Sequence, residues 1–166
     1  MDEADVVSNK LATLAFAVVD AIGADTEELS PSAMAALISL KVRGPMAIGD
    51  VAGIVGLTHS AAVRLVDRLE KDWLVRRQRR VGREVMVELT SRGKRRAGTL
   101  QEKRLQAARS FLAHIPGDQR EAFLAMIDQM LETKVEAGID PLRICRMCTG
   151  VACVICSVER PVMVAE

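Results

Sequence analysis

Aromatic side chains are nearly absent. The 166 residues include no Tyr, and their only rings besides histidine are Phe16, Trp73, Phe111 and Phe123. So few rings argue against a stacking platform for single-stranded nucleic acid. The core has to be packed by Ala, Leu, Val, Ile and Met, as in helical proteins. Histidine is equally scarce: His59 and His114 are the only two, and no nucleophile motif lies near either, so an enzyme is not expected. The chain has no internal repeat and no low-complexity linker. The apolar stretch 11–19 is too short to span a bilayer and contains Thr13. The opening Met-Asp-Glu-Ala-Asp is no secretory signal, so a cytoplasmic protein with no membrane partner is expected. What is present is ordinary globular composition, 49% hydrophobic and 27% charged, which excludes disorder and suffices for a real core.

A net charge of +1 points to no partner, but the distribution of charge does. Positions 64–96 hold 12 Lys/Arg against 5 Asp/Glu, a local balance of +7 that leaves −6 for the rest of the chain. Such asymmetry fits an anionic partner at one surface, and equally a solvated helix face.

Hydrophobic periodicity predicts helices over 4–22, 31–42, 48–55, 59–72, 91–114 and 118–137. Gly23 is expected to cap the first in the left-handed conformation. Ser30-Pro31 reads as the start of the second, which stops at Gly44-Pro45. Thr58 is the expected N-cap of the fourth, in which Ala62, Val63, Val66 and Leu69 form the apolar face. Arg64, Arg68 and Lys71 fall on the solvent side. Strands are expected over 74–80 and 83–89, joined by a turn at Val81-Gly82. Thr90 or Ser91 opens the long helix that follows. Asp118 and Glu121 have capping-box spacing at the start of the last helix, and Gly138 and Pro141 end it.

A helix, a short glycine-containing turn and a second helix make a helix-turn-helix, and a basic hairpin directly after it makes the winged variant. The second helix suits the major groove, where base edges are distinguishable. Its polar residues are Thr58, His59, Ser60, Arg64 and Arg68. The hairpin carries Arg76, Arg77, Arg79, Arg80 and Arg83, suited to phosphates or to the electronegative minor groove. These ten residues are the expected DNA contacts. The bland alternative is that Arg64 and Arg68 pair with Asp67 and Glu70, and that His59 is a surface residue.

The run Asp67-Arg68-Leu69-Glu70-Lys71-Asp72, then Leu74-Val75-Arg76-Arg77, then Val87-Glu88-Leu89-Thr90-x-x-Gly93, resembles the MarR family of regulators. The resemblance spans about 30–98 and extends more loosely to the flanking helices. It implies a homodimer built by the first and last helices, with a small effector bound between the dimerisation and DNA-binding regions. Two departures stand out. The family usually has Gly where this chain has Trp73, and Trp tolerates a left-handed cap poorly, so the recognition helix is expected to end differently. Arg83 matches the family's wing arginine, but Val81 stands where the family has an Asp two residues before it, leaving Arg83 less firmly oriented.

All four cysteines lie in Cys145-x2-Cys148-x4-Cys153-x2-Cys156. Two Cys-x-x-Cys pairs supply the four thiolates that a structural zinc or an iron–sulfur cluster needs. Gly150 in the spacer helps the chain reverse. The spacer is shorter than in zinc ribbons, and the run differs from that of ferredoxins, so spacing does not name the metal. Four thiolates in a closed site favour zinc; Val151, Val154 and Ile155 would suit shielding a cluster. Metal-free redox thiols and plain cysteines are the alternatives. Standing after the dimer helices, such a centre is expected to brace the C-terminal ends of two subunits.

The expected architecture is therefore mostly α with a small two-stranded β wing, a winged helix-turn-helix dimer. Residues 1–29 form the N-terminal dimerisation helix, 30–98 the DNA-binding region, 99–138 the C-terminal dimerisation helices and 139–166 the cysteine-rich tail. The expected function is a homodimeric regulator binding double-stranded DNA, sensing metal or redox state through the tail. The alternative is a metal-bound protein–protein assembly module that uses the winged unit.

Overall fold

A helix buried at eight consecutive positions, 33–40, forms the hub around which the other elements pack. The computed structural model describes residues 2–24, 29–79 and 85–150. In chain order these form α1 (Glu3–Ala24), α2 (Pro31–Arg43), β1 (Met46–Ala47), α3 (Ile48–Val55), α4 (His59–Lys71), β2 (Val75–Arg79) and β3 (Val85–Leu89). Then come α5 (Ser91–Leu112), α6 (Arg120–Glu136) and α7 (Pro141–Ile144), with 3-10 turns at Gly117–Gln119 and Cys145–Met147.

Helix α2 starts where Ser30 caps it, its Oγ accepting from the Ala33 N–H at 3.2 Å, with Pro31 in the first turn. It packs against α5, α3 and β3. Leu37 and Ile38 are fully buried among Val51, Val66, Leu69, Val75 and Val87, each such side chain stabilising the fold by about 1.5–3 kcal/mol.

The sheet has three strands rather than the expected two, in the order β1-β3-β2, all antiparallel. The added strand pairs Met46 with Val87 and Ala47 with Met86. Two residues are too few to show alternation, so β1 leaves no periodic trace in the sequence. The expected hairpin turn at Val81-Gly82 lies outside the described residues.

Three helix ends differ from expectation. Gly23 takes no left-handed cap; α1 runs through it to Ala24. Asp118 caps nothing, because the 3-10 turn Gly117–Gln119 occupies its place and α6 begins after Gln119 without a side-chain cap. Trp73 does adopt the left-handed conformation, at φ 58°, so α4 ends as it would with glycine. Its N–H donates to Glu70 O at 3.0 Å, the Leu74 N–H donates to Leu69 O at 2.9 Å, and the Thr90 hydroxyl donates to Trp73 O at 2.6 Å. These bonds, with Leu69 and Leu74 both buried, hold the residue against its steric cost.

Among the described residues one helix, Glu3–Gly23, is long and apolar enough to cross a membrane by length and composition, with mean hydropathy 1.5. It extends well beyond the apolar stretch 11–19. It packs on α5 and leaves Val7, Leu11, Leu14, Phe16 and Val19 exposed, Phe16 by 72%.

Candidate nucleic-acid interface

Helix α3 ends at Gly56, in the left-handed region at φ 70°, with the Leu57 N–H bonded to Ala52 O at 2.9 Å. This turn aims α4. Thr58 caps α4 as expected, its Oγ1 accepting from the Ala61 N–H at 3.3 Å. Ala62, Leu65, Val66 and Leu69 face the core, Leu65 taking the place expected for half-buried Val63. Thr58, His59, Ser60, Arg64, Arg68 and Lys71 are all exposed. Ser60, Arg64, Arg68 and Lys71 recur at i, i+4, i+8 and i+11, a single stripe along the outer face.

Asp67 and Glu70 are engaged by Arg77 of β2, not by Arg64 or Arg68. The Arg77 guanidinium donates to Glu70 and, at 2.5 Å, to Asp67, while its backbone N–H donates to Glu70 Oε1 at 3.1 Å. Burial alone would lower the Arg77 pKa; the hydrogen bonds and charges of Asp67 and Glu70 outweigh it, and the net direction is upward. The clamp offsets part of the charge of the two carboxylates on α4 and ties the wing to that helix. Among the described residues, no ion pair holds Arg64 or Arg68.

Arg76 pairs with Glu88 directly across the sheet, and the same carboxylate accepts from Gln78 Nε2 at 2.6 Å. Arg76 and Arg77 thus have partners within the chain. Arg79 ends β2; Arg80 and Arg83 lie outside the described residues. The N-cap of α5 is Thr90, whose Oγ1 accepts from the Gly93 N–H at 3.0 Å.

Residues 29–82 match the MarR family.

That segment takes in α2 through β2, the helix-turn-helix and the first strand of the wing. No curated protein matches the chain. Among solved structures, the chain is similar to a MarR family protein from Bacillus stearothermophilus, at 23% identity over 81% of this chain and 99% of that one, with a TM-score of 0.71. It is also similar to a MarR family transcriptional regulator from Silicibacter pomeroyi, at 25% identity over 79% and 89%, with a TM-score of 0.59. A third is MepR, a transcription regulator of the Staphylococcus aureus multidrug efflux pump MepA, at 15% identity over 76% and 96%, with a TM-score of 0.68. The fold is that of the MarR winged-helix structures, mostly helical with a small antiparallel sheet.

Beside the MarR-like unit, an open cleft of about 550 Å³ is lined by Leu29, Asp72, Leu74, Thr99 and three arginines, Arg92, Arg95 and Arg96. The cysteine tail is the larger departure from expectation. Its described part is docked on the helix-turn-helix: the Cys145–Met147 turn packs on α2, and α7 packs on α3. Leu142 and Met147 join the hydrophobic core. Cys145 and Cys148 are half-buried on one turn, closed by the Cys148 N–H donating to Cys145 O at 2.9 Å. Gly150, at φ 78°, is pressed so close to α2 that an added Cβ would lie 2.8 Å from Val42 Cγ1. Cys153 and Cys156 lie outside the described residues, and among the described residues no three ligating side chains form a metal cluster.

Sequence reasoning missed Ser39, Gln101 and Arg104, which surround this turn. The Ser39 hydroxyl donates to Arg146 O at 3.1 Å and Gln101 Nε2 to Cys148 O at 3.3 Å. Burial pushes the Arg104 guanidinium below the ordinary arginine value, the nearby Cys148 sulfur opposing the shift. No pattern marks these three in the sequence, because the groups they meet, backbone carbonyls for Ser39 and Gln101 and Cys148 for Arg104, are remote in the chain.

Proposed function

We propose that the chain is a cytoplasmic, non-enzymatic transcription regulator that binds double-stranded DNA as a homodimer. The observation that carries this reading is the exposed stripe Ser60, Arg64, Arg68 and Lys71 on α4, beside acidic residues whose charge Arg77 offsets. A positive helix face fits the major groove, with Thr58 and His59 at its N-terminus near a phosphate. Arg79, Arg80 and Arg83 reach DNA from the wing; Arg76 and Arg77 act through the geometry they fix. The exposed apolar residues of α1, with Phe111, Leu112, Leu124, Met126 and Met130 of α5 and α6, are covered by the second subunit rather than by lipid. The arginine-lined cleft suits a small effector bearing a carboxylate or phosphate.

Cys145, Cys148, Cys153 and Cys156 are proposed to hold zinc or an iron–sulfur cluster. The residues fit such a group: Cys145 and Cys148 share one tight turn, the spacing at which two thiols can reach one centre. A bound centre would order the tail and make the regulator responsive to metal or redox state. The test of the main reading is affinity for duplexes selected from genomic fragments, measured across salt concentration. For a regulator of this kind the logarithm of the binding constant falls linearly with the logarithm of salt concentration. A purified protein that binds no duplex at any salt overturns the proposal.

A further inference from the structure

We propose that the segment 139–150 is a strap that delivers Arg143 to the leading end of α4, where its guanidinium makes a further contact to the DNA phosphate backbone. The proposal rests on the reading of the chain as a dimeric DNA-binding protein, and adds to it a residue from outside the winged unit.

The strap is built to dock. Asp140 caps the single turn α7, its Oδ1 accepting from the Leu142 N–H at 2.8 Å, with Pro141 in the first turn. Leu142 and Met147 pack against the hydrophobic core, and α7 lies on α3. Ser39 of α2 and Gln101 of α5, both buried, donate to Arg146 O and Cys148 O. A buried hydroxyl or amide left without a partner is costly, so α2 and α5 are shaped to be covered here. Gln101 is itself held by Lys41, whose Nζ donates to its Oε1 at 2.9 Å. These anchors are apolar side chains and backbone carbonyls, so they hold the strap whatever its cysteines carry.

Arg143 follows the Leu142 anchor and meets the turn of the helix-turn-helix. Its guanidinium lies against Gly56, so closely that an added Cβ there would come 2.6 Å from Nη2 and 3.3 Å from Cζ. Gly56 stands two residues before Thr58, the N-cap of α4, so the two Cα atoms are at most about 7 Å apart. Thr58, His59 and Ser60 are exposed and lead into the stripe of Arg64, Arg68 and Lys71. At that leading end α4 supplies two hydroxyls and an imidazole but no Lys or Arg, and the strap supplies the missing cation. Arg143 is exposed, and among the described residues no ion pair holds it. The docked strap leaves the stripe uncovered, so it adds to the reading face rather than blocking it.

A structural role competes with this one. Gly56 is also the C-cap of α3, and a cation is favoured at the C-terminal end of a helix. Capping acts on stability alone. A phosphate contact acts on salt dependence, because each one lost lowers the slope of log binding constant against log salt by about 0.9.

The experiment uses the full chain and measures affinity across salt for one selected operator and one random duplex, with urea unfolding of every variant. Wild type is compared with Arg143→Met, Arg143→Lys, Leu142→Asp and the double variant Leu142→Asp/Arg143→Met. Arg143→Met is expected to weaken both duplexes alike, by roughly 10-fold, and to lower the slope by about 2 for the two contacts of a dimer. Arg143→Lys keeps the slope, because the charge remains. Leu142→Asp undocks the strap and brings the same loss, and adding Arg143→Met to it changes nothing further. A wild-type slope in Arg143→Met overturns the proposal, and a lowered unfolding midpoint beside it assigns the guanidinium to capping α3. Full additivity of the two substitutions overturns delivery by the strap. If Leu142→Asp does not fold, the two variants at exposed Arg143 decide the matter by themselves. A wild type that binds no duplex overturns the DNA reading, and this inference falls with it; a wild type that binds while Arg143→Met matches it sinks this inference alone.

Discussion

Gly93 of α5 lies against the backbone carbonyl of Leu74, so that an added Cβ would overlap the carbonyl oxygen and come within 2.9 Å of its carbon. The same carbonyl accepts from the Thr90 N–H at 3.1 Å. Three elements meet there: the end of α4, the start of the wing and the first turn of α5.

Gly93→Ala should therefore destabilise the fold by about 3 kcal/mol, because backbone rather than a flexible side chain must move. Gly53→Ala is the control. It lies in α3 with nothing within 4 Å of an added Cβ and should stabilise by about 1 kcal/mol. Urea unfolding of both variants checks the pair; equal midpoints for the two would refute the packing argument.

Trp73→Gly should raise stability by about 1 kcal/mol. The left-handed conformation costs a non-glycine residue about 1–2 kcal/mol, and the indole, 75% exposed, returns little by burial. A lower unfolding midpoint in the glycine variant would show that the indole contributes packing which offsets the strain, as a subunit contact would.

Arg64→Ala and Arg68→Ala should each weaken specific DNA binding by about 1–3 kcal/mol, and Arg79→Ala should weaken all duplexes alike and reduce the salt slope. Arg77→Met should also weaken binding, although Arg77 already has two partners, because it returns the charges of Asp67 and Glu70 to the reading face. Its cost in stability should stay within about 1 kcal/mol, since the paired carboxylates are 57% and 38% exposed. Affinities measured on one operator and one random duplex separate the two behaviours. If Arg77→Met binds as tightly as wild type, charge neutralisation is not its role.

Phe16→Asp should convert a dimer to monomer at micromolar concentration without unfolding the winged unit, because the side chain is exposed in the single subunit. Sedimentation velocity with circular dichroism reads both. A wild type that is already a well-folded monomer would sink the homodimer.

Local chemistry made much of this protein legible in the sequence. Ser30, Thr58 and Thr90 precede helices they cap, and the apolar spacing of α4 names most of its buried face, because capping and periodicity act within four residues. Where the competing partner was remote, local reasoning chose wrongly or not at all. Trp73 by itself tolerates a left-handed cap poorly, which predicts a different helix end, but bonds from Leu74 and Thr90 impose the cap. Asp67 and Glu70 stand at helical spacing from Arg64 and Arg68, yet β2 delivers Arg77 to them.

The sequence by itself determined the helix-turn-helix, the charge of its surface and the presence of four clustered thiols, since each is written in residues close together in the chain. Only the tertiary structure decided that the cysteine turn sits on α2, with α7 before it on α3, rather than beyond the dimer helices. That choice depends on Ser39, Gln101 and Arg104, whose polar atoms are buried only once distant helices pack, and whose need for partners therefore exists only in the folded chain.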